Sequence, residues 1–254
     1  MSLIKTLLLL LAFLYFGIGT ALYFFQRSFI YFPTLPMEFS GLSNVYRDHG
    51  DIRLQGHVAN AEQSQLILYF GGNAEQIGTS LQELAFHFPQ YAVAGFHYRG
   101  YAGSNGEPSE QALISDALFL YEQMAKEYEK VVVMGRSLGS GVATQLASKR
   151  KVDALVLVTP FDSITAVAAK VYWFYPISWM ITERYNSLAV ANSITAPTLL
   201  LMAADDRVIT ADHSEKLLSG FTNGVATAVT IANSGHNSIA DNSDYFVELK
   251  NFLR

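Results

Sequence analysis

The chain has 254 residues and a net charge of −5, from 17 Lys and Arg against 22 Asp and Glu. No basic run is present, which argues against nucleic acid as a partner. The absence of cysteine excludes disulfides, thiol nucleophiles and thiolate metal sites. With half of its residues hydrophobic, the chain can bury one sizeable core, either as one large α/β domain or as a domain plus an apolar anchor.

Between Lys5 and Arg27 no side chain is charged, and Leu7–Leu11 followed by Phe13, Leu14, Tyr15 and Phe16 is strongly lipophilic. About 20 such residues cross a bilayer as a helix. Tyr23, Phe24 and Phe25, then Gln26-Arg27, read as an interfacial belt and a stop. The competing reading is a cleaved signal peptide, with Lys5 at its head and Gly19-Thr20-Ala21 as a small-residue cleavage site. The apolar stretch runs past that site without a polar break, which favours a retained, single-pass anchor over residues 1–27. Lys5 and Arg27 flank it nearly symmetrically, so the positive-inside rule does not choose a side of the membrane. Residues 28–42, punctuated by Pro33 and Pro36, read as a linker, and 43–254 as the folded domain.

Within that domain, the alternation from Val45 to Val58 predicts a hairpin around His49-Gly50-Asp51. The unbroken apolar runs Leu66–Phe70, Ala92–Phe96, Val131–Met134, Leu155–Val158 and Leu199–Met202 predict parallel strands covered on both faces, with Val225–Ile231 as the last strand. Helical spacing of Leu113, Ala117, Leu120 and Met124 predicts a helix over Glu110–Glu127, and a second follows over Ser140–Ser148. Alternating strands and helices imply a mostly parallel, doubly wound α/β sheet. The exception is an insert at about 160–191, which holds both tryptophans. Its Tyr172, Trp173 and Trp179 suit a small cap over a pocket as well as they suit a core.

The chemistry concentrates in Gly135-Arg136-Ser137-Leu138-Gly139, between a buried strand and a helix. A serine flanked by glycines at ±2 in that setting is a strained elbow, in which side chains at the flanks would collide with strand or helix. A serine hydroxyl needs a histidine to take its proton, and the histidine needs a carboxylate to fix its tautomer. Of the histidines, only His213 and His236 follow Ser137. His236 lies after the last strand, whereas His213 reads as a solvated position on a helix. His49, His57, His87 and His97 lack motif context and read as structural or surface residues. Either Asp205 or Asp206, after the strand ending at Met202, can supply the acid, with Asp162 a third candidate. The oxyanion donors are expected to be the amides of Leu138 and, from Gly71-Gly72-Asn73-Ala74, of Asn73, with Ala74 as the alternative.

These stretches resemble a family of membrane-anchored serine α/β hydrolases that includes protein depalmitoylases, lysophospholipid lipases and bacterial relatives. The resemblance rests on Gln26–Thr34, Gly72-Asn73-Ala74, Tyr98-Arg99-Gly100-Tyr101 with Ser104, Gly106, Pro108 and Ser109, on Gly135–Gly141, Pro160-Phe161 and Gly235-His236-Asn237. It implies an α/β-hydrolase fold with a cap insert, and it lays the acid on Asp206. Gly71 stands where the family usually has histidine, and Ala203 where it has glycine. The resulting expectation is a serine hydrolase with a Ser137–His236–Asp206 triad, acting without a metal or cofactor on acyl esters or thioesters, with membrane lipid as its surroundings. Two rivals are a serine peptidase of the prolyl-oligopeptidase type and a catalytically silent binding protein. The first usually carries a large extra domain, and the second is disfavoured by an intact triad.

Overall fold

The computed structural model describes residues 3–254. The chain opens with helix α1 (Leu3–Phe24) and the short α2 (Gln26–Ile30), so the predicted break between residues 27 and 28 falls inside a helix. α1 is long and apolar enough to cross a membrane, with a mean hydropathy of 2.2. The predicted hairpin is β1 (Ser43–His49) and β2 (Ile52–Ala59). There follow β3 (Gln65–Phe70), α3 (Ile77–His87), β4 (Ala92–Phe96), α4 (Glu110–Met124), β5 (Lys130–Arg136) and α5 (Leu138–Ala147). β6 (Ala154–Val158) leads into the insert, which holds α6 (Ile164–Val171), α7 (Ile177–Met180) and α8 (Leu188–Ala191). The chain closes with β7 (Thr198–Ala203), α9 (Ala211–Ser219), β8 (Ala226–Ile231) and α10 (Ser243–Phe252).

The eight strands form one sheet in the order β1-β2-β4-β3-β5-β6-β7-β8. β2 pairs antiparallel with both β1 and β4, and every pair from β4 to β8 is parallel. The apolar runs are continuous because both faces of the sheet are covered. Leu66, Leu68 and Phe70 of β3 join one core with residues of α4 and α5, while Ile67 and Tyr69 join a second with residues of α3 and α10. Each fully buried Leu or Val contributes about 1.5–3 kcal/mol by leaving water.

Much of the Tyr98-Arg99-Gly100-Tyr101 stretch is structural. Arg99 makes a two-pronged ion pair with Asp116 of α4, at 2.6 and 2.7 Å, and His49 of β1 meets the same carboxylate at 2.7 Å. Ser104 accepts a hydrogen bond from the Gln55 amide and donates to the His97 carbonyl. Together they lock the antiparallel edge to the loop after β4.

The insert is tied down through α4. Ser109 caps that helix by accepting from the Ala112 amide, and such caps contribute about 0.5–2 kcal/mol. Glu110 then accepts from the amides of Arg184 and Tyr185 at 2.6 and 2.8 Å. Its own amide donates to Glu183.

Candidate active site

Ser137 sits on the turn between β5 and α5 with φ 50° and ψ −116°. A non-glycine residue there costs on the order of 1–3 kcal/mol and persists only where its surroundings enforce it. They do so on both sides. The Ser137 amide donates to the Val158 carbonyl at 2.9 Å, and side chains at the two glycines have no room. A Cβ on Gly139 would run into the Phe70 carbonyl oxygen, and one on Gly135 would lie 2.7 Å from the Ala143 Cβ. α5 therefore begins at Leu138, two residues before the expected Ser140, because the elbow is itself the helix N-terminus. That end presents amides and the positive pole of the helix beside Ser137.

His236 reaches Ser137 from the loop after β8: its Nε2 lies 2.9 Å from the Ser137 Oγ. Its Nδ1 lies 2.7 Å from Asp206 Oδ2. With Asp206 accepting a hydrogen bond from the Nδ1–H, Nε2 is left as the acceptor for the serine hydroxyl. The other carboxylate oxygen of Asp206 accepts from the amides of Val208 and Ile209, both at 2.8 Å. That explains why Asp206 and not its neighbour faces the histidine. Asp205 is exposed, with its amide donating to the Ser234 carbonyl.

Asp162 is committed elsewhere. It meets His213 Nδ1 at 2.8 Å and Lys216 Nζ at 3.2 Å. His213 is correspondingly buried, which corrects its reading as a solvated face residue. The helical spacing was right, but the face it occupies packs against the loop after β6. Among the described residues no group of three or more His, Asp or Glu gathers into a metal site.

On the loop after β3, the Gly72 amide donates to Glu75 Oε2 at 2.5 Å, and Asn73 and Ala74 line the cavity together with Ser137. The Asn73 side chain is fully occupied in holding the loop. It donates to the Ile30 carbonyl at 2.6 Å and accepts from the Phe32 amide and the Tyr101 hydroxyl at 2.9 and 2.8 Å. Gly71 is explained by Ile77, whose methyl group fills the space a Cβ would need. A histidine there would displace α3.

Two residues of this corner escaped the sequence reading. Glu75 also accepts from the hydroxyls of Tyr69 and Ser80 and lies 3.8 Å from the Arg136 guanidinium. Arg136 in turn donates to the backbone carbonyls of His236 and Asn237, both at 3.2 Å. Burial works against the Arg136 charge, but Glu75 and neighbouring hydroxyls outweigh it and raise its pKa above the ordinary value. The pair thus joins the Asn73 loop, the elbow and the His236 loop. The available signal was a cation at the end of a buried strand, which needs an anion nearby.

Above Ser137 lies a cavity of about 750 Å³, within the range of ligand pockets. Gly72, Asn73, Ser137, Leu138 and His236 line its floor, and Val167, Tyr172, Ile177 and Ile181 of the insert line its roof. Of the three aromatic pocket residues expected from sequence, only Tyr172 is on the cavity. Trp173, in the turn after α6, and Trp179, on α7, do not line it and are 80 % and 87 % exposed. The remaining wall comes from an unexpected quarter: Leu22 of α1 and Gln26, Phe29 and Ile30 of α2.

The α1–α2 segment is held against the insert by polar contacts. Gln26 accepts from the amide and hydroxyl of Thr182 at 2.7 and 2.9 Å. Arg27 pairs with Glu183 at 2.8 Å. Tyr31 donates to Glu183 at 2.6 Å, and burial raises its pKa far above that of a free phenol, so it stays a donor.

The chain is also similar to known proteins. Residues 67–180 match the family described as the alpha/beta hydrolase fold. An uncharacterised protein of Mycobacterium tuberculosis is 30 % identical over 236 residues, 87 % of this chain and 84 % of its own. The lysophosphatidylserine lipase ABHD12 of Danio rerio is 34 % identical over 60 % of this chain, which spans only 46 % of that lipase. Among solved structures, the Pyrococcus furiosus esterase Pf2001 superposes with a TM-score of 0.69 at 16 % identity, covering 88 % of this chain and 98 % of the esterase. With strand order, elbow and sequence kinship in agreement, the chain belongs to the α/β-hydrolase family.

Proposed function

We propose that this protein is a membrane-anchored serine hydrolase that cleaves carboxylic esters or thioesters of acyl chains through an acyl-enzyme. The observation that carries this reading is the line of contacts from Asp206 through His236 to a strained Ser137, placed on the floor of a largely apolar cavity. The Ser137 Oγ attacks the acyl carbonyl carbon while its proton passes to His236 Nε2. Asp206 stabilises the resulting imidazolium and holds the ring in position. The carbonyl oxygen becomes an oxyanion held by the amides of Leu138 and Asn73, aided by the N-terminus of α5. Collapse expels the alkoxide or thiolate, which takes the proton from His236. Water then attacks the acyl-enzyme by the same steps, and the fatty acid leaves with Ser137 restored.

The substrate class follows from the walls. A cavity roofed by Tyr172, Ile177 and Ile181 gains about 0.8 kcal/mol for each CH₂ it takes from water. The name of the zebrafish relative, a lipase of a single-chain phospholipid, fits the same class. An uncharged helix from Leu3 to Phe24 apart from Lys5, and a first strand that starts at Ser43, would keep the site near lipid headgroups.

The test is labelling with a fluorophosphonate probe, which reacts with an activated serine. Wild type should label and Ser137→Ala should not. Equal labelling of the two would reject Ser137 as the nucleophile, and no labelling of folded wild type would favour a silent binding protein.

A further inference from the structure

The insert carries an apolar surface that extends beyond the cavity over Ser137. From Val171 to Thr182 no residue is charged, whereas Lys170 precedes the segment and Glu183 and Arg184 follow it. Val171, Trp173 and Trp179 are more than half exposed, and Phe174 nearly so. Large exposed apolar patches on a soluble surface mark contact with something else. Here the position of α1 says with what.

The segment is bonded to the middle of α1 rather than to its end. The Tyr15 hydroxyl donates to the Phe174 carbonyl at 2.9 Å, and the Tyr175 hydroxyl donates to the Tyr15 carbonyl at 2.8 Å. The two tyrosine rings stack with centroids 4.6 Å apart. Gly19, the buried residue of α1, is the place where Tyr175 comes close: a Cβ there would lie 3.0 Å from its ring.

At about 1.5 Å per residue, Tyr15 lies roughly 14 Å along the helix from Phe24 and roughly 18 Å from Leu3. The hydrocarbon core of a bilayer is about 30 Å thick. The part of α1 before Tyr15 is therefore too short to span it alone. If α1 crosses the membrane, Tyr15 lies inside the hydrocarbon, and Phe174 and Tyr175 lie there with it.

In that environment backbone polar groups must be satisfied internally, and much of the segment meets that demand. The amides of Tyr172, Tyr175, Ile177, Trp179 and Ile181 all find carbonyls within the insert, and Pro176 has no amide to satisfy. Two of its three charged neighbours are paired at the boundary, Glu183 with Arg27 and Lys170 with Asp212, and the third, Arg184, donates to the Ile181 carbonyl.

We propose that Val171–Thr182 is a second membrane-embedded element, inserted beside α1 into the leaflet next to the hydrolase domain, so that the cavity over Ser137 takes acyl chains directly from lipid. Leu22 and Phe29 on one side and Val171 and Met180 on the other line the cavity, which places its apolar end between two elements that face the bilayer. A lipid substrate reaches Ser137 between them without its acyl chain crossing water. This deepens the proposed function and rests on its reading of α1 as an anchor.

Both tryptophans of the chain, Trp173 and Trp179, lie in this segment, so the native protein carries its own depth probe. The full chain is reconstituted in phosphatidylcholine liposomes whose acyl chains carry bromine, and tryptophan emission is compared with that in unbrominated liposomes. Co-flotation with the liposomes reports the anchor separately. Trp179→Phe leaves Trp173 as the single reporter beside the Phe174–Tyr15 contact and decides the outcome. The expected result is loss of more than half of the Trp173 emission to brominated lipid, with little quenching by aqueous iodide. Protein that floats with liposomes but keeps its emission in brominated lipid and loses it to iodide would overturn the proposal while leaving the anchor intact. Protein that fails to float would overturn both. Repeating the measurement on Ser137→Ala separates all of these outcomes from the chemistry, because quenching needs no turnover.

Discussion

The corner at the end of the sheet and the wall formed by the insert and α1 are built from opposite materials. In the corner the charged groups are held by several partners each: Asp206 has three, Glu75 accepts from Gly72, Tyr69 and Ser80, and Arg136 reaches the carbonyls of the His236 loop. Ser137 is held there in a conformation it would not adopt by itself. The insert and α1 instead offer short helices, apolar side chains and exposed tryptophans, joined by a few contacts at Tyr15, Gln26 and Arg27. A reaction that moves a proton over one hydrogen bond needs groups fixed to within a fraction of an ångström. A pocket for acyl chains needs area and access to lipid, which apolar elements supply. Under the proposed function, the difference assigns chemistry and substrate choice to separate parts of this molecule, so that altering one should leave the other in place.

The largest effect expected from breaking the corner comes from Asp206→Asn. By analogy with serine proteases, loss of the orienting charge lowers kcat by about 10⁴. Asp205→Asn and Asp162→Asn, whose side chains do not face His236, should leave kcat within the same order of magnitude. Stopped assays on a small aryl ester, with folding checked by circular dichroism, rank the three; a ranking led by Asp205 would show the acid is elsewhere.

The sheet rather than the insert should set sensitivity to acid. His57 and His97 lie buried with their Nε2 atoms 3.2 Å apart. Burial, assisted by His57, pushes the His97 pKa from 6.5 down to about 4. The folded protein then binds its proton later than the unfolded chain as pH falls. Stability should therefore decline from near pH 6.5 and level off near pH 4, by about 3 kcal/mol in total. His97→Gln should flatten that decline, as read from apparent melting temperatures across the interval. An unchanged slope would assign it to other groups.

A smaller effect sharpens the role of the Glu75–Arg136 pair as positioning residues. A hydrogen bond to a charged group contributes about 1.5–3 kcal/mol, so Arg136→Met should lower kcat roughly 10- to 100-fold with a smaller change in KM, since Arg136 donates to the carbonyls of the His236 loop. A rise in KM at constant kcat would place its contribution in binding instead.

How much of this was readable beforehand depended on whether the signal was local. The strands announced themselves because Leu66–Phe70 and Leu155–Val158 are buried on both faces, and the elbow because Gly135 and Gly139 have no room for a Cβ. Asp206 could not be told from Asp205 by adjacency, since the choice is made by the turn through Val208 and Ile209. Trp173 and Trp179, expected either over a pocket or in a core, are in neither, because composition does not say which way a side chain faces. The contribution of Leu22, Gln26 and Phe29 to the cavity was out of reach for the same reason. Those residues meet the site across more than a hundred positions of chain, and nothing in their own neighbourhood signals it.

The separation of chemistry from substrate choice is tested most directly by kcat/KM over a series of p-nitrophenyl esters of increasing acyl length, measured in liposomes. With the leaving group and triad constant, only the cavity walls differ in what they contact. The account predicts a climb of up to about fourfold per CH₂, the equivalent of about 0.8 kcal/mol, until the cavity is full. A preference for acetyl over octanoyl esters would contradict it, and would return the insert and its aromatic residues to a purely structural role.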